Sequence, residues 1–172
     1  MPLPAAHCQP LSPTPTPTML TVRLAQPSDA PAVQGIFERA LRAADWLPAG
    51  AEPDTDFVRN SSCETVHVCT TDDGAVRGFI AVYDPGSFVH HLYVDAAFQG
   101  QGVGRAILAA VVDSQPNKPW LLKCVLINTR ARAFYANTGW RETATAMGSQ
   151  GPYAVLRKVA ALPVALPVAR TD

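Results

Sequence analysis

Three glycines at alternate positions, Gly100, Gly102 and Gly104, punctuate the stretch QGQGVGRAIL at residues 99–108. Directly behind them Val103, Ile107, Leu108, Val111 and Val112 recur at helical spacing. Glycine lets a chain turn tightly or lets a ligand come close to its backbone. A helix start presents unpaired N–H groups and the positive end of the helix dipole. Together they form a cradle for an anion, best suited to a pyrophosphate; a plain tight turn is the bland alternative. Further on, Tyr135 sits in TRARAFYANTGW beside Phe134, with Asn128 just before that segment. A phenol donates a proton, or it simply fills a core. An asparagine at a helix entrance caps it, reaches a ligand, or does both through different groups. His90 and His91 are adjacent in the strand-like SFVHHLYV. Successive strand side chains face opposite ways, so His90 shares a face with Leu92 and Val94 while His91 shares one with Tyr93. An imidazole accepts a proton near neutral pH, directly or through water. The other reading makes both histidines structural, with main-chain carbonyls and water taking that proton.

These groups need a scaffold, and 172 residues suffice for one domain with a core. Hydrophobic residues reach 48 % and charged ones 16 %, with alanine and proline supplying much of the former. Lysine plus arginine equals aspartate plus glutamate at 14 each, so bulk charge steers neither a nucleic acid nor an acidic membrane to the chain. A local basic patch stays open. Cys8, Cys63, Cys69 and Cys124 lack metal-ligand spacing, and Cys69 and Cys124 read as core thiols in strands. No metal site is expected. With no secretory run and no long apolar segment, a cytoplasmic protein is the default expectation.

Residues 1–18 form a proline- and threonine-rich tract, read as a disordered extension, with Met19 a candidate true start. Residues 19–160 are read as the working domain and 161–172 as a flexible tail. LTVRLA alternates like a strand. Ser28 is a candidate N-cap and Pro31 fits a first turn, ahead of a helix marked by Val33, Ile36, Phe37, Ala40, Leu41 and Ala44. A loop and a short second helix in DTDFVRNS follow. Strands are expected in ETVHVCTT, AVRGFIAVY and SFVHHLYV, the last two joined across DPG. Then come the glycine loop and its helix to about residue 115, the strand PWLLKCVLI, and a helix closed by Gly139. Two strands, near 140–147 and 153–159, finish the domain. This β-α-α-β-β-β-α-β-α-β-β order lacks the steady alternation of a dinucleotide-binding fold. The glycines follow the fourth strand rather than the first, and no GKS or GKT is present.

LYVDAAFQGQGVGRAIL, with Gln99, Gly100, Gln101, Gly102, Val103 and Gly104, resembles the acetyl-CoA signature of the GNAT N-acetyltransferases. LLKCVLIN followed by ARAFYANTGW, with Asn128, Tyr135, Gly139 and Trp140, is similar to a second signature of that family. The resemblance covers roughly residues 20 to 160. Ala96 stands where a proline is common, and Phe88 stands where some members carry a glutamate base. The resemblance implies an α/β (α+β) GNAT fold. Its mixed, mostly antiparallel sheet of six to seven strands splays between the fourth and fifth and is flanked by about four helices. It implies acetyl-CoA as cofactor, with the pantetheine arm along the main chain of Leu92, Tyr93 and Val94. The pyrophosphate would lie on Gln101 to Arg105, and Asn128 would reach the cofactor arm. Tyr135 would be the general acid on the leaving thiolate. His90 stands where some amine-acetylating members carry a histidine, and is the candidate base or water relay ahead of His91.

The acceptor would be a small-molecule or peptide primary amine, attacking directly in a ternary complex, since no cysteine sits in an evident activated pair. Trp46 and Phe57 are candidate acceptor contacts, with Trp46 a cleft wall or a plug on the core. The neighbouring Glu52, Asp54 and Asp56 lean towards a cationic amine. Many members are dimers, so a homodimer is open. The rival reading is a non-catalytic acyl-CoA sensor on the same fold, which would need no acid or base. A scaffold protein would leave the glycine loop a coincidence.

Overall fold

The computed structural model describes residues 19–48 and 50–159. The expectations for residues 1–18 and 161–172, Cys8 included, lie outside them. The elements run β1 Thr21–Leu24, α1 Ala30–Arg42, α2 Phe57–Asn60, β2 Thr65–Thr70, β3 Val76–Tyr83 and β4 Phe88–Val94. They continue as α3 Val103–Leu108, β5 Leu121–Val125, α4 Thr129–Ala136, β6 Trp140–Gly148 and β7 Gly151–Lys158. One seven-stranded sheet holds them in the order β1-β2-β3-β4-β5-β7-β6. Every pairing is antiparallel except β4 with β5. No helix among the described residues is long and apolar enough to cross a membrane.

Helix α1 buries Val33, Ile36, Phe37 and Leu41, the stripe its sequence spacing predicts. Its entrance differs from expectation. Ser28 lies inside a 3-10 turn, Pro27–Asp29, and Asp29 does the anchoring. The Asp29 carboxylate accepts from the Gln26 N–H at 2.7 Å and pairs with Arg23 of β1 at 2.6 Å. An ion pair to the first strand therefore sets where the helix begins. The helix behind the glycine loop also differs. Its α-helical hydrogen bonding stops at Leu108 and continues as a wider π turn, Ala109–Asp113, that still buries Val111 and Val112.

Two apolar clusters form the core. One joins Ile80, Val82, Val89 and the helix face Val103, Ile107 and Leu108 to Trp120, Leu122, Tyr135, Trp140 and Leu156. The other packs Val33, Ile36, Phe37 and Leu41 with Phe57, Val68, Phe79 and Ala81. Neighbours on one strand divide between them, as Phe79 and Ile80 do, which follows from strand alternation. Cys69 and Cys124 are buried strand thiols, as their sequence context predicts.

Gly78 is the point where α3 meets the sheet. A Cβ there would stand 2.9 Å from the Tyr93 carbonyl oxygen and 3.0 Å from Val103 Cγ1. Gly78→Val is therefore expected to lower stability by about 1–3 kcal/mol, the usual range for overpacking a filled core. Chemical denaturation checks this, and an unchanged midpoint would show that α3 has room to move.

Candidate active site

Strands β4 and β5 pair only at Phe88 with Leu121 and Val89 with Leu122, and then part. Beyond that point β4 stays on β3, and β5 stays on β7 through Val125 with Tyr153. The parted edges line a cleft of about 1170 Å3, bounded by Leu92, Tyr93 and Val94 on one side and Lys123, Cys124 and Val125 on the other. Backbone groups on such edges need partners, and water or a ligand must supply them.

The glycine loop stands at the mouth of this cleft. Gly100 and Gly102 have φ of 78° and 88°, which glycine adopts without strain, and a Cβ on either would meet nothing within 4 Å. Gly102 caps α3, and the first helical bond runs from the Ala106 N–H to the Gly102 carbonyl at 2.9 Å. The N–H groups ahead of it, through Arg105, lack helical partners. Gly104 serves packing instead, since a Cβ there would lie 3.1 Å from the Phe134 ring on α4. The Gln99 and Gln101 amides turn back onto the Val94 and Ala97 carbonyls, at 3.2 and 2.8 Å, and brace the loop. Arg105 and Arg130 line the cleft and form no ion pair among the described residues. They are the local basic patch that bulk charge left open.

Tyr135 reaches the same cleft from α4, 9 % exposed and packed edge-on against Phe134 and Trp140. Burial pushes its phenol well above the ordinary value, with Cys124 and Tyr93 adding to the effect. Burial likewise raises Tyr93 to about 12 and Cys124 to about 11. Tyr135 thus holds its proton more firmly than the free phenol of the sequence argument. Asn128 caps α4 through its side-chain oxygen, 3.0 Å from the Ala131 N–H. Its main-chain N–H is bonded to the Val125 carbonyl at 3.0 Å, which leaves the side-chain NH2 for the cleft.

The histidine pair departs from simple alternation. Ala81 pairs with His91 and Val82 with Val89, so His90 is the extra residue of a β-bulge. The two rings do not face opposite ways but stack, with centroids 4.5 Å apart. His91 is walled by Phe37, Phe57 and Tyr93, and burial lowers its pKa to about 4, aided by His90. His90 stays 52 % exposed at the cleft, and its Nδ1 meets Glu64 Oε1.

The acceptor-side residues separate. Trp46 is both wall and plug, lining the cleft and packing on the α1 cluster. Phe57 is 6 % exposed and lies under His91 in the core, so it shapes the site without facing it. Asp54 pairs with Arg59 at 2.7 Å, and Asp56 caps α2. Those acids are spent locally. The carboxylate facing the histidines is Glu64, which the sequence reading passed over. Cys63, exposed, lies beside it in a smaller pocket of about 290 Å3.

Residues 62–142 match the family model described as "Acetyltransferase (GNAT) domain". The solution structure of apo YjaB from Escherichia coli superposes with a TM-score of 0.69 at 21 % identity, covering 83 % of this chain and 99 % of that one. The ribosomal-protein-S18-alanine N-acetyltransferase of Escherichia coli gives 0.63 at 18 % identity, covering 84 % and 96 %. YncA of Salmonella typhimurium, solved with acetyl-CoA, gives 0.61 at 21 % identity, covering 88 % and 99 %. Among curated proteins the sequence has no match. Residues 62–142 thus carry the match to the GNAT acetyltransferase domain, and the seven-stranded sheet is the GNAT fold.

The burial of His91 has a measurable consequence. The unfolded imidazole binds its proton near pH 6.5, but the folded one does so only near pH 4. Between those values the unfolded state holds more protons, so acidification destabilises the fold, by up to about 3 kcal/mol at the acid end. Urea denaturation at pH 7 and pH 5 checks this for the protein and for His91→Phe, in which the slope from this group is expected to vanish. An identical slope in both would place His91 in contact with solvent.

Proposed function

We propose that the protein moves the acetyl group of acetyl-CoA to a primary amine by direct attack in a ternary complex. The observation that carries this reading is the parted β4–β5 edge ending at a positive-φ glycine loop. It offers unpaired strand groups to the pantetheine amides and free N–H groups to the pyrophosphate. Leu92, Tyr93 and Val94 would hold the arm through their main chain. Gly100 to Arg105 would hold the phosphates, with Gln99 and Gln101 keeping the loop in shape. The Asn128 amide would donate to the arm. Cys69 and Cys124 are buried, and burial raises both thiols, which argues against a covalent acyl-enzyme through either.

In this mechanism the acceptor ammonium gives one proton to His90. The freed amine attacks the thioester carbonyl carbon, a C–N bond forms, and the C–S electron pair leaves on sulfur. Tyr135 donates to the thiolate and is restored, through water, by the second proton of the acceptor nitrogen. The His90 proton passes to solvent. The products are the N-acetyl amine, CoA thiol and one proton. His90 suits the base role better than His91, because His91 is walled by aromatic rings and its lowered pKa makes it a poor base.

Calorimetric titration with acetyl-CoA, followed by a CoA-release assay across polyamines, aminoglycosides, amino acids and peptides, tests this reading. Binding with amine-dependent release is expected. Absence of binding at millimolar ligand would overturn the reading, and binding without release from any amine would favour the sensor. Gly102→Val forces a branched side chain into positive φ where phosphate must approach, so acetyl-CoA affinity is expected to fall about tenfold or more with the fold retained. Circular dichroism beside the titration reads both. Tyr135→Phe is expected to lower turnover by roughly 10- to 100-fold with acetyl-CoA affinity unchanged. Because burial raises the phenol, wild-type turnover should show no Tyr135-dependent fall up to about pH 10. A Tyr135→Phe protein running at the wild-type rate would make Tyr135 a packing residue.

A further inference from the structure

Glu64 lies one residue before β2, outside both signature segments, yet it is the acid nearest the bulged histidine. Its side chain is 5 % exposed. One oxygen meets His90 Nδ1, and the other is buried with no hydrogen-bond partner among the described residues. A buried carboxylate oxygen without a donor is costly, so it marks a place where a donor belongs. The space beside it is a pocket of about 290 Å3 with Asn60, Cys63, Tyr83, Phe88 and His90 in its wall. Asn60, Phe88 and His90 also line the large cleft, so the pocket adjoins it.

We propose that this pocket is the acceptor subsite, that Glu64 draws in an alkylammonium and positions His90, and that cationic primary alkylamines are therefore the substrate class. The proposal rests on the acetyltransferase reading above. A carboxylate accepting from Nδ1 fixes the imidazole in the tautomer whose Nε2 lone pair is free, as a buried acid does for a catalytic histidine elsewhere. The second oxygen supplies the acceptor that an ammonium N–H requires. Phe88 and Tyr83 present aromatic surface, which favours a cation over a neutral amine. Lys123 sits 6.0 Å over Phe88 on the cleft side, and the half-buried His91 stacks on His90. A second cation on the acceptor is thus unwelcome near Lys123 but matched at Glu64. Glu64 is a positioning and binding residue in this account, and His90 carries the proton.

Glu64→Gln keeps the shape and removes the charge. Nitrogen-15 NMR of the cofactor-free protein reads the His90 tautomer without any turnover. Wild type is expected to show the Nδ1–H form, and Glu64→Gln a mixture. Shift perturbation by n-butylamine at neutral pH is expected at Glu64 and His90 in wild type and to be lost in the variant. With saturating acetyl-CoA, the variant is expected to lose about 10- to 100-fold in kcat/KM for n-butylamine, mostly through KM. It is expected to lose under about threefold for aniline, which is uncharged at that pH. An equal loss for both amines, or an unchanged His90 tautomer, overturns the proposal. Micromolar Zn2+ binding lost in Glu64→Gln and His91→Phe would also overturn it, by making Glu64, His90 and His91 a metal cluster. If no amine is acetylated at all, the acetyltransferase reading fails, while the tautomer and butylamine titrations still decide the pocket.

Discussion

Strand β5 is committed to β7 along its whole length and β4 to β3, and the two meet each other at only two residue pairs. Beyond those two pairs no ladder joins the facing edges of β4 and β5. The bulge at His90 bends β4 away just where the pairing with β5 ends, one residue after Val89. From that divergence follow the cleft, the bare backbone edges, and the position of the glycine loop at the end of β4. Helix α3 is held against the sheet by the missing side chain at Gly78, and α4 is held against α3 by the one missing at Gly104. Two of the glycines that look interchangeable in sequence therefore set helix positions, while Gly100 and Gly102 shape the loop itself.

The groups around the cleft share one electrostatic habit. Burial shifts Tyr93, Cys124 and Tyr135 upward and His91 downward, so each is kept in its neutral form. Such a setting weakens an ordinary acid or base but keeps donors protonated and strengthens every hydrogen bond made inside it. His90 is the exception by position. The bulge lifts it out of the aromatic wall that holds His91, and Glu64 meets it there.

Much of this was legible from local pattern. The glycine loop, the α3 face, the Asn128 cap and the buried Cys69 and Cys124 depend on neighbours within a few residues, and all sit where their spacing places them. What was missed depends on partners distant in the chain. Ser28 looked like a cap because nothing local reveals that Arg23 and Asp29 pair. Strict alternation put His90 and His91 on opposite faces because a bulge of β4 against β3 leaves no mark on β4 alone. Asp54 and Asp56 looked free until Arg59 was seen to take them. Glu64 went unnoticed because it reaches His90 through the fold, 26 residues away in the chain. Phe57 lies in the core rather than on the cleft wall, because its ring packs against Phe37, Phe79 and His91.

The central claim is that the parted β4–β5 edge and the loop after it form the acyl-CoA seat. Amide hydrogen exchange, with and without CoA, tests it directly. The account predicts added protection at Leu92 to Val94, at Gly102 to Arg105 and at the start of α4, with β1 and β6 unaffected. Unchanged exchange in those segments under saturating CoA, or protection confined to another surface, would contradict it.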